Sequence, residues 1–519
     1  MTGSGEDRGL RTDWALFLTT VGTIALVCLP IVAFHEQAAA AITTAYDAIT
    51  RRLGFLYLWY GVAALAFLGW IAFGRFGHVR LGEPDSRPEF STFSWAAMLF
   101  CAGVGATLFY WAIVEWGYYI DKPPHGLEPR SVAATEWAAS YGMFHWGITG
   151  WAILCLPAIA IAYPYYVRRV PYLRLSTACS AFLPGGVNSP RGRALDFLYM
   201  INLIGGSGTS LGLSTPMIAA AFAKLSGFGH DFLLEVAVMV ACIAVFGFSA
   251  WLGLERGFKR MSDATVVLAL GFLLFVLIVG PTLFILEMGT NSIGLVLQNF
   301  IRMNTWTDPV AGMGFVENWT VFYWAWWMAY GPFVGIFIAR ISGGRTLRQV
   351  VVGMLSFGSL GAAAFYIVLG NYAMHLDLGG VLDVTGMIAK GEEARAITEV
   401  IASLPLGQLA LAVFVLVSVV LLATTYDSAA YTLASVSTDR LEAGRNPARW
   451  SRLFWACALG FTPVTLLFVE GGLKVMLSTT IVASLPLLAV GILMAASLTR
   501  QLREDANRRL ATVSAEARR

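Results

Sequence analysis

Charged residues are scarce in this chain, which excludes most soluble fold classes. Only 13% of the 519 residues are charged and 57% are hydrophobic, whereas about a quarter of a typical soluble domain is charged. The 35 basic and 32 acidic residues nearly balance, so a nucleic-acid partner is excluded as well. The composition predicts an all-α integral membrane protein.

Cysteine is scarce too, and its spacing excludes a disulfide scaffold and a metal site. Cys179 lies near a loop, and the others lie inside apolar runs. The N-terminal stretch MTGSGEDRGLRTDW leads into an apolar run without a small-residue cleavage site. It therefore predicts a short cytoplasmic tail and a first span that is retained.

Long apolar runs separated by charged or Pro/Gly breaks predict twelve transmembrane helices, at about 20 residues per span. They lie near 14–34, 55–76, 93–119, 143–166, 195–222, 232–254, 264–286, 318–341, 349–373, 407–434, 452–470 and 474–498.

Basic residues alternate between the connections. They are concentrated after the even-numbered spans, so those loops and both chain ends are predicted to be cytoplasmic. Arg51 and Arg52, on a predicted outer loop, are the main exception. The predicted organisation is an N-terminal tail over 1–13, two peripheral helices over 14–90, helices 3–7 over 91–287, an outer-surface connecting helix over 288–317, helices 8–12 over 318–498, and a C-terminal tail over 499–519.

The eighth span is unusually aromatic, with seven aromatic residues between Trp319 and Tyr330. Trp326 and Tyr330 are i,i+4 neighbours on one helix face, and Trp327 is adjacent. Ring faces around one cavity suit a quaternary ammonium group, which is held by cation–π attraction because it donates no hydrogen bonds. Packing without a ligand is the alternative interpretation.

A second aromatic set lies on the third and fourth spans and includes Trp111, Tyr118, Trp146 and Trp151. The third span also contains Gly103-Val104-Gly105, and the eighth contains Gly331-Pro332. Such interruptions in corresponding spans predict discontinuous helices around a site near the membrane midplane.

The tenth span contains the run Thr424-Thr425-Tyr426-Asp427-Ser428. Its hydroxyls either bond back to their own helix or supply hard oxygen ligands to a Na⁺ ion. Asp427 and Glu115 are ionisable groups inside spans and are functional candidates for that reason. His145 is interpreted as a packed, hydrogen-bonded residue.

Over nearly all of residues 90–470 the chain resembles the betaine/carnitine/choline transporter (BCCT) family. The resemblance is carried by Pro88–Thr92, Pro123–Pro129, His145-Trp146-Gly147 with Trp151, Ser210–Leu213, the aromatic run with Ala339–Thr346, and Thr424–Ser428. It implies a sodium-symporter-like fold in which helices 3–12 form two inverted five-helix repeats. It also implies a homotrimer in the bacterial inner membrane.

The resemblance also implies roles for individual residues. The family's cage falls on Trp146, Trp326 and Trp327, with Tyr118 and Tyr330 where carnitine carriers have tyrosines. Trp111 and Trp151 match positions on the approach path. Tyr330 and Leu154 depart from the betaine-carrier pattern, which favours a longer onium zwitterion. The implied Na⁺ ligands are Cys101, Val104, Leu421, Thr424 and Thr425.

Sodium-independent carnitine exchangers in the family have a basic residue in the seventh span and lack one hydroxyl in the tenth. The matching positions here are Thr265 and Thr425, which favours Na⁺ as the coupling ion, with no other cofactor. A second sodium site would fall near Leu203 and Ser207, and it is left open because Leu203 has no side-chain oxygen.

The resulting hypothesis is a non-enzymatic secondary transporter that imports an onium zwitterion with Na⁺ by alternating access. The rival functions are a sodium-independent carnitine antiporter, an osmosensing betaine carrier and a membrane-embedded enzyme. No catalytic or cofactor motif supports the enzyme.

Overall fold

The structure is a computed structural model that describes residues 10–33, 35–252, 254–467 and 472–516. Only the backbone is described at 27–33, 35–36, 38–39, 205, 207–209, 255–256, 461–467, 472–477, 479–480, 509 and 512–516.

Helices make up most of the described chain. The helices of the first half are α1 (Trp14–Ala33), α2 (His35–Phe73), α3 (Thr92–Val104), α4 (Thr107–Asp121), α5 (Val132–His145), α6 (Ile148–Tyr166), α7 (Leu175–Ala178), α8 (Pro190–Ser226), α9 (Phe232–Leu252) and α10 (Lys259–Val279). Those of the second half are α11 (Thr282–Thr305), α12 (Phe322–Ile341), α13 (Leu347–Phe365), α14 (Asn371–Leu378), α15 (Val384–Ala389), α16 (Glu393–Ala402), α17 (Gly407–Val436), α18 (Arg449–Leu467) and α19 (Gly472–Glu516).

Each predicted span overlaps one or two of these helices, because only helices satisfy their own backbone hydrogen bonds in lipid. In the described ranges, eight spans are long and apolar enough to cross a membrane, or nine if the bent pair α3–α4 counts as one span. The all-helical membrane fold predicted from the sequence is therefore confirmed, whereas the count of twelve spans is not.

The third predicted span is broken within the Gly103-Val104-Gly105 stretch. α3 and α4 meet there at an angle of 57°. Gly105 has a φ of +57°, a left-handed conformation that residues with a side chain rarely adopt. A Cβ atom at Gly105 would lie 2.6 Å from Thr425 Oγ1. The break therefore brings the backbone of α3 against the hydroxyls of α17.

The predicted break at Gly331-Pro332 is wrong, because α12 runs without interruption from Phe322 to Ile341. Gly331 and Gly335 of this helix instead allow close packing against α6. A Cβ at Gly331 would lie 3.5 Å from Pro157, and a Cβ at Gly335 would lie 2.8 Å from the same residue. Tight packing on both sides keeps a proline-containing helix continuous.

The connecting helix begins earlier than the predicted boundary at 288. α10 ends at Val279, Gly280 and Pro281 form the junction, and α11 covers Thr282–Thr305. The predicted span 264–286 therefore crosses this junction, where Pro281 lacks the backbone N–H that would continue a helix.

Residues near both chain ends contact the connections that are rich in basic residues. The N–H of Asp13 donates to the Ser437 carbonyl at 2.8 Å, after α17. The predicted tail 499–519 continues α19 as far as Glu516, and Arg168, after α6, pairs with Asp505 at 2.9 Å. Asp13 therefore lies beside the connection that follows α17, and Asp505 beside the one that follows α6.

Candidate functional site

Three tryptophans, one before α6 and two in α12, contact one another. Trp146 caps α5 at the junction with α6, and its ring centroid lies 4.8 Å from Trp327 and 6.1 Å from Trp326. Both pairs are perpendicular, whereas Trp326 and Trp327 are stacked 5.5 Å apart at 7°. All three are at most 4% exposed. We call Trp146, Trp326 and Trp327 the cage.

Tyr330 extends the cage by one helical turn. Its ring lies 6.0 Å from Trp326, edge to face. Its hydroxyl is hydrogen-bonded to Ser210 of α8 at 2.7 Å. Tyr330 therefore links the cage helix α12 to α8.

Tyr118 lies outside the cage in this structure. Its ring contacts Trp111 at 6.5 Å and Trp319 at 5.4 Å, and none of its described ring contacts is with a cage tryptophan. Its hydroxyl donates to Glu393 of α16 at 2.5 Å, which draws the side chain toward the connection between α14 and α17. The structure thus separates Tyr118 from the group in which sequence reasoning placed it.

Trp111 and Trp151 occupy different surroundings. Trp111 lies 6.3 Å from Tyr323, which in turn lies 6.0 Å from Trp146, so Trp111 adjoins the cage through one ring. Trp151 fills the space between α3 and α13: a Cβ at Gly103 or Gly358 would lie within 2.6 Å of its indole. Its role in this structure is packing.

A buried carboxylate lies behind the cage. Glu115 is 0% exposed and accepts hydrogen bonds from the hydroxyls of Tyr119, Tyr323 and Tyr366, the Tyr323 bond being 2.7 Å long. His145 Nδ1 lies 3.5 Å from Glu115 Oε1. We call Glu115, Tyr119, His145, Tyr323 and Tyr366 the carboxylate cluster.

Sequence reasoning identified Glu115 and His145 but missed the tyrosine partners. His145 is fully buried and hydrogen-bonded, as predicted. Tyr323 lies four residues before Trp327, so its helical spacing was a usable signal. Tyr366 directly follows α13 and had no sequence signal, because it is 251 positions from Glu115.

The predicted sodium ligands of α3 and α17 are close together. The Thr425 hydroxyl donates to the Cys101 carbonyl at 2.9 Å and to the Leu421 carbonyl at 3.0 Å. The Thr424 hydroxyl donates to the same Leu421 carbonyl at 2.8 Å. The oxygens of these four residues form what we call the hydroxyl cluster.

Bonding back to the helix also occurs here, since both threonines bond to Leu421 in their own helix. Only the contact of Thr425 with Cys101 crosses between helices. The Val104 carbonyl, the fifth predicted ligand, accepts the Thr107 hydroxyl at 2.8 Å. Four of the five predicted ligands are thus in direct mutual contact, and Val104 adjoins them through Gly105.

The other polar candidates have protein partners. Thr265 donates to Met261 of its own helix at 2.7 Å, and Asp427 accepts a hydrogen bond from Ser249 of α9. Leu203 is buried, while the Ser207 side chain lies outside the described residues. The suggested second sodium site therefore gains no support from this region.

Comparison with known proteins gives three findings. The model of the BCCT family, described as betaine/carnitine/choline family transporters, matches residues 15–507. An uncharacterised transporter of Escherichia coli K12, YeaV, is 35% identical over 442 residues, which are 85% of this chain and 92% of that protein. A carnitine transporter of Acinetobacter baumannii is 29% identical over 505 residues, covering 97% of this chain and 92% of that protein.

One solved structure in the comparison is the substrate-bound outward-open state of a Na⁺-coupled sialic acid symporter. It is matched over 87% of this chain and 83% of that chain, at 10% identity and a TM-score of 0.41. That similarity is too low to carry an argument. The family match over almost the whole length settles the class of protein: the chain is a multi-pass membrane transporter of the betaine/carnitine/choline transporter (BCCT) family, and not an enzyme.

Proposed function

We propose that this transporter imports an onium zwitterion, such as a betaine, carnitine or dimethylsulfoniopropionate, together with Na⁺. The cage is the observation that carries the proposal. Trp146, Trp326 and Trp327 present faces and edges to one another, with both perpendicular and stacked geometries. A methylated cation is attracted to such ring faces by roughly 0.5–2 kcal/mol per ring.

The opposite end of the substrate has a candidate donor in the same place. The indole N–H group of Trp326 is buried and has no hydrogen-bond partner among the described residues. A buried donor without a partner costs about 1–3 kcal/mol. A substrate carboxylate would accept from it and remove that cost, so one small site would serve both charged ends.

Sodium coupling is supported by the hydroxyl cluster. Two hydroxyls and two carbonyls are hard oxygen ligands, and they come from the broken span α3–α4 and from α17. A cation would replace the hydroxyl hydrogens as the positive partner of the Cys101 and Leu421 carbonyls. An ion bound there would hold α3 and α17 together, which provides a means of coupling ion binding to movement.

Transport would proceed by alternating access, with α3, α4 and α12 moving against a scaffold that includes α8 and α17. A zwitterion carries no net charge, so each Na⁺ moved inward gains about 2.3 kcal/mol per 100 mV, in addition to its concentration gradient. The Tyr330–Ser210 bond connects the two sets of helices beside the cage.

We place the protein in the bacterial inner membrane as a homotrimer with both ends in the cytoplasm. The contacts of Asp13 with Ser437 and of Arg168 with Asp505 support a common side for the two ends. Basic residues concentrated in the connections on that side support its being the cytoplasmic one.

The test is uptake into proteoliposomes with competition by glycine betaine, choline, carnitine, γ-butyrobetaine and dimethylsulfoniopropionate. The longer zwitterions carnitine and dimethylsulfoniopropionate are expected to compete at least as well as glycine betaine. Primary amines are expected not to compete, because they retain their hydration shell. Competition by proline or alanine, and by none of the five onium compounds, would contradict the proposal.

Replacing Na⁺ by K⁺ separates the proposal from its nearest rival. Uptake by the symporter is expected to stop in K⁺, whereas a sodium-independent carnitine antiporter would continue to exchange. Uptake that continues unchanged in K⁺ would therefore replace the symport mechanism with antiport, while leaving the onium site in place.

A further inference from the structure

We propose that Glu115 supplies a fixed negative charge that makes the cage selective for cations. The inference deepens the proposed function and rests on it. The cage alone attracts cations through ring faces, but rings also pack well against neutral branched groups of the same shape. A negative charge behind the rings would distinguish a cation from a neutral group of the same shape.

We infer that Glu115 is a carboxylate anion, because each of its three hydroxyl partners can donate to it. Three tyrosine hydroxyls donate to it, two to Oε2 and one to Oε1. An ionised carboxylate is an acceptor at both oxygens, whereas a protonated one would have to place its own hydrogen among these donors. Hydrogen bonds to a charged acceptor are also the stronger kind.

The hydrogen bonds of His145 fit a neutral ring, which would leave this charge in place. Its Nδ1 lies 3.0 Å from the Tyr119 hydroxyl, whose hydrogen is given to Glu115, so Nδ1 carries its own proton. Its Nε2 lies 3.1 Å from the Thr320 hydroxyl, which can donate to it. A ring with one proton and one acceptor nitrogen is neutral imidazole.

The charge lies one tyrosine away from the cage. The Tyr323 hydroxyl bonds to Glu115, and the Tyr323 ring lies 6.0 to 6.2 Å from the three cage tryptophans. Tyr366 makes a second such link, with its hydroxyl on Glu115 and its ring 6.3 Å from Trp146. No Arg or Lys pairs with Glu115 in the described part of the chain; its ion-pair neighbour is His145.

A buried charge without a cationic partner is costly, and a bound onium group would be that partner. Because Tyr323 and Tyr366 also shield Glu115 from the site, the cation would be attracted without forming a hydrogen bond to the carboxylate. This arrangement suits trimethylammonium and dimethylsulfonium heads, neither of which has a hydrogen to donate.

The experiment compares γ-butyrobetaine with 5,5-dimethylhexanoate, in which carbon replaces the ammonium nitrogen at the same shape. Both affinities are measured by tryptophan fluorescence on the full-length protein in detergent. In Glu115→Gln, the preference for γ-butyrobetaine over the carbon analogue is expected to fall about tenfold, which is about 1.4 kcal/mol. Affinity for the carbon analogue, which keeps the carboxylate but has no cation, is expected not to fall, because removing Glu115 also removes a like charge.

Asp196→Asn is the matched control. Asp196 is also a fully buried carboxylate, but it lies beside Arg174, away from the cage. Its removal is expected to lower stability and leave the preference between the two ligands unchanged. If Glu115 only supports the fold, Glu115→Gln would lower the affinities for both ligands equally, and that result would overturn the inference.

If Glu115→Gln does not fold, His145→Gln decides instead. It leaves the carboxylate in place, so the preference for γ-butyrobetaine is expected to be kept; a tenfold fall would show that the preference does not come from the Glu115 charge and would overturn the inference. The proposed function fails separately, if the wild-type protein itself has no preference for γ-butyrobetaine. If the wild-type protein prefers γ-butyrobetaine and Glu115→Gln keeps that preference, the inference about Glu115 is wrong and the proposed function stands.

Discussion

The cage and the hydroxyl cluster are held in different ways. The cage rings contact the carboxylate cluster, whose hydrogen bonds join α4, α5, α12 and the residue that follows α13. The oxygens of the hydroxyl cluster bond to one another, mostly within α17. The hydrogen bonds of the carboxylate cluster therefore hold the cage rings in place before a substrate binds. An ion, in contrast, would have to reorient the hydroxyls that bind it.

This difference predicts that the two sites respond differently to substitution. A preorganised site loses affinity when one of its own groups is removed, because the remaining groups cannot move to compensate. A site that reorganises on binding should depend on how freely its backbone and hydroxyls adjust.

The largest effect is expected from Trp327→Leu in the cage. Leucine keeps an apolar side chain but removes a ring face and the indole hydrogen bond to the His145 carbonyl, which is 2.9 Å long. Substrate affinity is expected to fall about 30-fold, or about 2 kcal/mol, at unchanged sodium dependence. Calorimetry with the best competitor of the onium panel measures it.

Trp455→Leu is a close control for that substitution. Trp455 is equally buried, and its indole N–H donates to Ser437 at 3.1 Å, far from the cage. Trp455→Leu should lower the free energy of unfolding about as much as Trp327→Leu does, without changing substrate affinity. Wild-type affinity in a folded Trp327→Leu protein would show that the cage assignment is wrong.

The same contrast explains what the sequence could predict. Trp326, Trp327 and Tyr330 lie within five positions of one helix, so their common face follows from helical spacing. The contact of Thr425 with Cys101 spans 324 positions. Helical spacing gives no information over that distance, and only the family resemblance joined the two residues.

The differences between sequence and structure have equally physical causes. Gly331 and Pro332 predict a break because each weakens an isolated helix, but packing of α12 on α6 outweighs that preference. The family resemblance places Tyr118 with the cage, whereas its hydroxyl in this structure bonds to Glu393, which no local pattern connects with it. Tertiary contacts decided both cases.

A smaller effect is expected from removing the hydroxyls of the other site. Thr424→Ala with Thr425→Ala deletes two oxygen ligands, and the sodium concentration for half-maximal uptake is expected to rise more than tenfold, or by more than about 1.4 kcal/mol. Substrate affinity at saturating Na⁺ should change little. The measurement is uptake against external Na⁺ in proteoliposomes.

Thr432→Ala tests whether a lost hydroxyl by itself has this effect. Thr432 lies on the same helix and donates to Ala429 three residues before it, as Thr424 does to Leu421. Its removal should leave sodium dependence unchanged. If the double substitution of Thr424 and Thr425 also leaves it unchanged, the hydroxyls only bond to the backbone and the ion lies elsewhere.

The smallest effect is expected from Gly105→Ala, which acts on the backbone of the hydroxyl cluster. The new Cβ would lie 2.6 Å from Thr425 Oγ1, and the φ of +57° disfavours any side chain. Displacing that hydroxyl is expected to raise the sodium requirement about fivefold, or about 1 kcal/mol. Gly227→Ala is the control, because Gly227 also has a positive φ, +79°, but no atom lies within 4 Å of its added Cβ.

Equal sodium dependence in Gly105→Ala and Gly227→Ala would mean that the hydroxyl cluster tolerates an added Cβ as well as the end of α8 does. A loss of substrate affinity in Gly105→Ala without a change in sodium dependence would contradict the division between a supported cage and an adjustable ion site.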